Sequence, residues 1–294
     1  MNEKDWELLS TLFDEGTITK TAQKLYISQP ALTYRIKQIE KEFNSRIINR
    51  GKKGVFFTNE GEYLVNYARK MIKELRQTRD VLIDMKDDIR GTLRIGISSN
   101  FALYQLPLLL EGFLRKYPNV EVSLTTGWSS QIHELLHKED IHIAILRGEH
   151  SWQGEQIVLS TESLCAASKE KFNINDLPNL NLIKYQTDFH LKNTFDEWWK
   201  NTFHVPPKVS MVVDKIETCK ELVKKGLGYA FFPSICLRES DNIYTVDLVT
   251  SDKKILRKTW LLYRKELLSL NVINAFVAYT IEFYLHGEQM SKSY

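Results

Sequence analysis

Thr19–Phe43 reads TKTAQKLYISQPALTYRIKQIEKEF, two short helical patterns separated by a break that cannot itself be helical core. Ala22 and Leu25 stand at helical spacing in the first pattern, and Tyr26 and Ile27 close the turn. Ser28 then occupies an N-cap position, with Pro30 in the first turn, where its missing N–H is not needed. Leu32, Ile36, Ile39 and Phe43 predict a second helix with one buried stripe. Gln29, Thr33, Tyr34, Arg35, Lys37 and Lys41 are left to project elsewhere, and all can donate hydrogen bonds or carry charge. A short helix, a tight turn and a second helix with a polar, basic outer face predict a helix-turn-helix whose second helix enters a DNA major groove.

Charge points the same way. Between Lys20 and Lys53 there are nine Lys or Arg and two acids, whereas the whole chain carries a net charge of only +3. A concentrated positive patch on a nearly balanced protein suits phosphate attraction; a charge run taken alone would read as a solvated face. Upstream, Trp6, Leu8, Leu9, Leu12 and Phe13 form the apolar face of a scaffold helix ending at Gly16, and Thr17 to Thr19 offer capping hydroxyls for the next. Downstream, Arg50-Gly-Lys-Lys-Gly54 leads into a short β-prone run, as expected of a wing lying along the phosphate backbone. On these residues the run from Leu12 through Gly61 resembles the winged helix-turn-helix of LysR-type transcriptional regulators. The resemblance is carried by Thr21-Ala22, Ser28-Gln29-Pro30-Ala31-Leu32-Thr33, Ile36, Ile39-Glu40, Phe43, Ile48, Arg50, Thr58 and Gly61. Gln29, Pro30, Thr33, Tyr34 and Arg35 are expected at base edges, and Ser28, Lys37, Arg50, Lys52 and Lys53 on phosphates.

From Asn59 the pattern becomes one long helix. Leu64, Ala68, Met71, Leu75, Thr78, Leu82, Met85 and Ile89 alternate at spacings of four and three, with cations at outer positions. A helix of about thirty residues would extend ~45 Å at 1.5 Å per residue, more than a small winged domain can cover. Leu64, Ala68, Met71, Leu75, Leu82 and Met85 are therefore expected to form a dimer seam. A two-fold dimer places two recognition helices on two half-sites, so the expected partner is double-stranded DNA carrying an interrupted inverted repeat.

After Gly91 the chain switches to alternating strand and helix patterns: Thr92–Ile97, Leu106–Tyr117, Val120–Thr126, Ser129–His137 and Ile141–Leu146, hence βαβαβ with a parallel sheet. The order repeats from Leu182 to Phe232, and Thr259–Tyr263 with a helix from Asn271 to Leu285 returns to the first lobe. Two α/β lobes linked by crossing strands make a cleft, and small ligands bind at the carboxyl ends of such strands. The LysR-type effector domain, similar to periplasmic binding proteins, has this arrangement. The expected fold class is thus α/β: an N-terminal all-α winged helix-turn-helix with a long linker helix, then a two-lobed α/β effector domain. The expected boundaries are 1–58 for the winged domain, 59–89 for the linker helix, 90–163 with 266–294 for lobe I, and 164–265 for lobe II. Ser98, Ser99, Asn100, Thr126, Gly127, Trp128, Ser129 and Arg147 lie at strand ends of the first lobe, with Thr187 and Phe232 from the second. Hydroxyls, backbone N–H groups and one guanidinium predict a small anionic metabolite there, although capping alone could account for each Ser or Thr.

His133-Glu-Leu-Leu-His137 matches the H-E-x-x-H of zinc peptidases and supplies the alternative reading, a metallopeptidase. Ile132, Leu135 and Leu136 supply the buried face of that helix, which puts Glu134 on the far side; no extended zinc motif follows. No nucleophile elbow or phosphate-binding loop is present, so no enzyme activity, metal or cofactor is expected. A solute-binding protein for uptake would share the cleft but would not need the basic N-terminal unit. Cys165, Cys219 and Cys236 are odd in number and widely spaced, as expected of free thiols; a redox sensor is the other reading. An acidic, amphipathic start without an apolar signal core predicts a cytoplasmic protein with no membrane contact. The family resemblance adds a homotetramer assembled through the effector domains and admits RNA polymerase as a partner.

Overall fold

The computed structural model describes residues 1–51, 54–86 and 88–290, and the chain divides into two compact units, Met1–Met85 and Lys86–Tyr294. The first holds α1 (Glu3–Glu15), α2 (Ile18–Lys24), α3 (Gln29–Glu42), β1 (Ile48–Gly51), β2 (Gly54–Phe57) and α4 (Asn59–Asp84). Each helix starts on a side chain that satisfies an otherwise unpaired N–H: Asn2, Thr17, Ser28 and Thr58 accept from Asp5, Lys20, Ala31 and Gly61 respectively. Leu8, Leu9 and Leu12 of α1 meet Ala22, Leu32, Ile36, Ile39, Val65 and Ala68 in one core. β1 and β2 form an antiparallel hairpin, so the wing adds a two-stranded sheet to the expected all-α unit. Gly54 has φ +130°, and a Cβ there would lie 2.5 Å from the Gly16 carbonyl oxygen, which also accepts the Val55 N–H at 2.8 Å. Glycine at 54 is what lets the wing close on the α1–α2 turn.

The linker helix departs from expectation. α4 has 26 residues and ends at Asp84, and its first half packs on α1 inside the same unit. Arg79 pairs with Glu3 at 2.8 Å and Arg69 with Asp14 at 2.6 Å, so α1 runs antiparallel along it. Leu64 and Ala68, expected in the dimer seam, are instead buried in the unit's own core. Met71 and Leu75 are half-buried, while Leu82 and Met85 are exposed.

The second unit runs β3 (Gly91–Ser98), α5 (Ser99–Tyr104), α6 (Leu106–Lys116), β4 (Val120–Gly127), α7 (Ser129–His137), β5 (Ile143–Arg147), β6 (Glu155–Ser168), β7 (Leu182–Tyr185), α8 (Phe189–Thr202), β8 (Val209–Val213), α9 (Ile216–Lys224), β9 (Ala230–Pro233), β10 (Tyr244–Asp247), β11 (Val249–Thr250), β12 (Lys253–Lys254), β13 (Leu256–Tyr263) and α10 (Asn271–Met290). β4, β3 and β5 are parallel, and β13 joins β5 antiparallel. In the second lobe β7 pairs parallel with β8, and a parallel bridge ties Leu182 to Tyr229 ahead of β9. β6 serves both lobes. Glu155–Ser163 pairs with β13, and Leu164–Ser168 with β9 and β10. The return crossing falls just ahead of β13, so Thr259–Tyr263 runs with the lobe I sheet as its pattern suggested, and the lobe II boundary expected at 265 lies too late. Ile95, Ile97, Phe101, Phe113 and Phe276 centre the first lobe's core; Leu164, Trp198, Trp199, Phe231 and Leu248 centre part of the second.

Candidate DNA-reading head and effector cleft

In α3 the buried stripe Leu32, Ile36 and Ile39 turns the opposite face outward. Gln29, Pro30, Tyr34 and Lys37 are exposed there, and Thr33 is half-buried. Ser28 Oγ accepts the Ala31 N–H at 3.3 Å, which leaves its own O–H available to donate. Arg35, expected at a base edge, is engaged within the unit. Its guanidinium clasps Asp5 through Nε and Nη2, the latter at 2.6 Å, and Asp5 is 1% exposed. Burial opposes ionisation of Asp5, but the Arg35 hydrogen bonds and the Asn2 backbone N–H outweigh it and hold the carboxyl below the usual carboxylate range. Arg35 therefore locks α3 to α1. Lys52, Lys53 and the side chain of Arg50 lie outside the described residues.

In the second unit a cleft of about 210 Å³ opens between the lobes. Ser98, Ser99, Asn100, Gly127, Trp128, Ser129, Arg147 and Thr187 line it, all anticipated from strand ends. Thr126 is exposed and does not line it, because the strand's alternation sends its side chain to the other face. Phe232 is fully buried behind the wall, stacked on Tyr185 with ring centroids 5.9 Å apart. The wall also contains Tyr185, Asp188, Asp214, Lys215, Glu217 and Arg257, which strand-end reasoning missed. Asp188 is the N-cap of α8, where its side chain accepts the Leu191 N–H, so its capping signal was legible; Arg257 carried none.

Arg147 is 2% exposed and ion-pairs with Glu162 of β6, whose other oxygen accepts the Ile235 N–H at 3.0 Å. Arg257 Nη2 donates to Asp188 at 2.7 Å and to the Arg147 carbonyl at 3.3 Å. Burial, then the neighbouring Arg257, push the Arg147 guanidinium down to about 10, so it stays protonated at neutral pH. Its Nε and Nη1 are buried without a hydrogen-bond partner among the described residues, as are Ser98 Oγ and the Tyr185 hydroxyl. Burial, then the nearby Cys236 and Cys219, raise Tyr185 well above the ordinary phenol value, so that hydroxyl keeps its proton and remains a donor. Unpaired buried donors cost about 1–3 kcal/mol each, so all are placed to gain from an acceptor-rich ligand.

His133 and His137 do lie together on α7, rings edge to face at 4.5 Å, and His150 stacks on His133 at 5.4 Å. Trp152 packs against the first two. Glu134 points to solvent and pairs with Lys138 at 2.6 Å. Among the described residues no group of three or more His, Cys, Asp or Glu is placed to hold a metal ion. Cys165, Cys219 and Cys236 are buried free thiols, and burial pushes the first two up to about 12, which suppresses thiolate reactivity.

A helix-turn-helix head and a two-lobed cleft with unpaired polar groups define a ligand-responsive DNA-binding regulator. Residues 4–62 match the bacterial regulatory helix-turn-helix proteins of the lysR family, and residues 86–284 match the LysR substrate binding domain. The chain belongs to the LysR family of transcriptional regulators. It is 45% identical over 291 residues to the HTH-type transcriptional regulator YraN of Bacillus subtilis (strain 168), covering 99% of each chain. It is 33% identical to YkuM of the same organism, covering 94% of this chain and 96% of that one. Full-length CbnR complexed with its target DNA shares the fold, with a TM-score of 0.65 and 20% identity over 95% of this chain and 99% of the other. Among the described residues no helix is long and apolar enough to cross a membrane.

Proposed function

We propose that this regulator reads an interrupted inverted repeat in duplex DNA and changes its activity when a small anionic metabolite enters the cleft of the second unit. Gln29, Pro30, Thr33 and Tyr34 face base edges; Ser28, Lys37, Arg50, Lys52 and Lys53 hold phosphates. Met71, Leu75, Leu82 and Met85 form the dimer seam, and effector domains complete a tetramer. The cleft assignment rests on one observation: Ser98 Oγ, Arg147 Nε and Nη1, and the Tyr185 hydroxyl are all buried, polar and unpaired around a single cavity. Because Glu162 and Asp188 already neutralise Arg147 and Arg257, the ligand is recognised by hydrogen-bond donors as much as by net charge. Calorimetric titration with a panel of small mono- and polycarboxylates tests this. Ser98→Ala and Arg147→Lys should each weaken the binding acid about tenfold or more, the loss of one or two charge-assisted hydrogen bonds. Undiminished binding by both variants would remove these residues from the site.

A further inference from the structure

Helices α1, α2, α3, α7 and α9 each hand over to a residue in the left-handed region: Gly16, Tyr26, Asn44, Glu139 and Gly226. Glycine has no Cβ to clash there and asparagine is the usual substitute, while any other L-residue raises the energy of the turn. Glu139 is half-buried and feels the charge of Arg264. Tyr26, at φ +54°, is the single aromatic among the five. Its backbone does the capping work that any residue could do: the Tyr26 N–H donates to the Gln23 carbonyl at 3.2 Å and the Ile27 N–H to the Ala22 carbonyl at 3.0 Å.

The Tyr26 side chain contributes nothing to the fold that would offset this conformation. It is 96% exposed, the most exposed large apolar or aromatic side chain of the described residues, and its hydroxyl has no partner among them. It stands two residues before Ser28, the N-cap of α3, beside the N–H groups and hydroxyl that face outward from the start of the recognition helix. A bulky side chain held in a strained turn and pointed at solvent next to a reading helix has its energetic return outside the monomer. We infer that Tyr26 is a further DNA-contacting residue, its phenol donating a hydrogen bond to a backbone phosphate beside the N-terminus of α3. The assignment rests on the DNA-reading role proposed above. Being neutral and aimed at phosphate, Tyr26 adds affinity without sequence preference and without releasing a counterion, which separates its signature from that of a lysine.

The test uses the full chain and two labelled duplexes, one enriched from a random library by the wild-type protein and one unrelated. Tyr26→Phe and Tyr26→Gly should each raise Kd on both duplexes by about 3- to 10-fold, the loss of one hydrogen bond, with the slope of log K against log salt unchanged. Tyr26→Gly should also melt no lower than wild type. Wild-type affinity in Tyr26→Phe overturns the hydrogen bond to phosphate, as does a loss confined to the enriched duplex. A melting midpoint of Tyr26→Gly that drops with its affinity assigns the residue to structure instead. A wild-type protein that enriches no duplex sinks the DNA-reading role itself and takes this assignment with it.

Discussion

Asp5 sits almost out of reach of water, where a lone carboxylate would be strongly disfavoured, and Arg35 makes its ionisation tolerable. Arg35→Ala should therefore destabilise the N-terminal unit by roughly 2–3 kcal/mol, below the usual range for a fully enclosed pair because the arginine side chain is 39% exposed. Thermal melting of Arg35→Ala, Asp5→Asn and the double variant checks this: the double should cost less than the two singles added. Since the Asp5 carboxyl is held below its ordinary 3.8, this contribution is present at neutral pH and is lost as pH falls through the depressed value. Lys37 offers the contrasting case. It is exposed on the outer face of α3, so Lys37→Ala should leave the melting midpoint unchanged, weaken all duplexes alike and reduce the salt slope by about one. A loss confined to one sequence would place Lys37 on a base edge.

Helix α7 turns a peptidase-like string into an aromatic cluster, because Ile132 and Leu136 face the core and bring His133 onto His150 and Trp152. Burial, then His137, lower His133; burial is also the main cause lowering His150, whose Nε2 donates to the Arg147 carbonyl at 3.1 Å and which feels His133, His190 and Asp188. Both histidines thus hold a proton less readily when folded than when unfolded. Stability of the second unit should fall as pH drops below 6.5, the ordinary histidine value. Calorimetric melts between about pH 7.5 and 5.5 should show that decline, and His133→Phe, which keeps a ring in the cluster, should reduce it. An equal decline in the variant would assign the effect elsewhere. Strand β6 illustrates how context hides an element. Its first half is partly solvated and its second half buried, and Ser160-Thr-Glu-Ser163 sits at the changeover, so neither alternation nor a continuous apolar run marks it.

At the scale of the whole molecule, the exposed end of α4 has to be covered for the chain to work as a paired reader. Leu82 and Met85 make no core contact within their unit, so Leu82→Asp should leave its fold intact and convert the protein to monomers, read by sedimentation velocity. An unchanged oligomer would remove this half of α4 from the seam. Leu64 and Ala68 show why spacing alone overreached: a heptad stripe says which residues share a face, and α1 of the same chain reached that face first. The sequence by itself determined what depends on neighbours within a few positions: the two helices around Tyr26–Ser28, their caps, the basic outer face, the alternating α/β lobes, and most strand ends that line the cleft. Only the tertiary structure decided which partner each charge would find. Arg35 met Asp5 thirty positions away, Arg147 met Glu162, and Arg257 met Asp188. A side chain's chemistry is fixed by its identity, but whether a cation faces DNA, a ligand or an internal carboxylate depends on which distant segments the fold brings within a few ångströms of it.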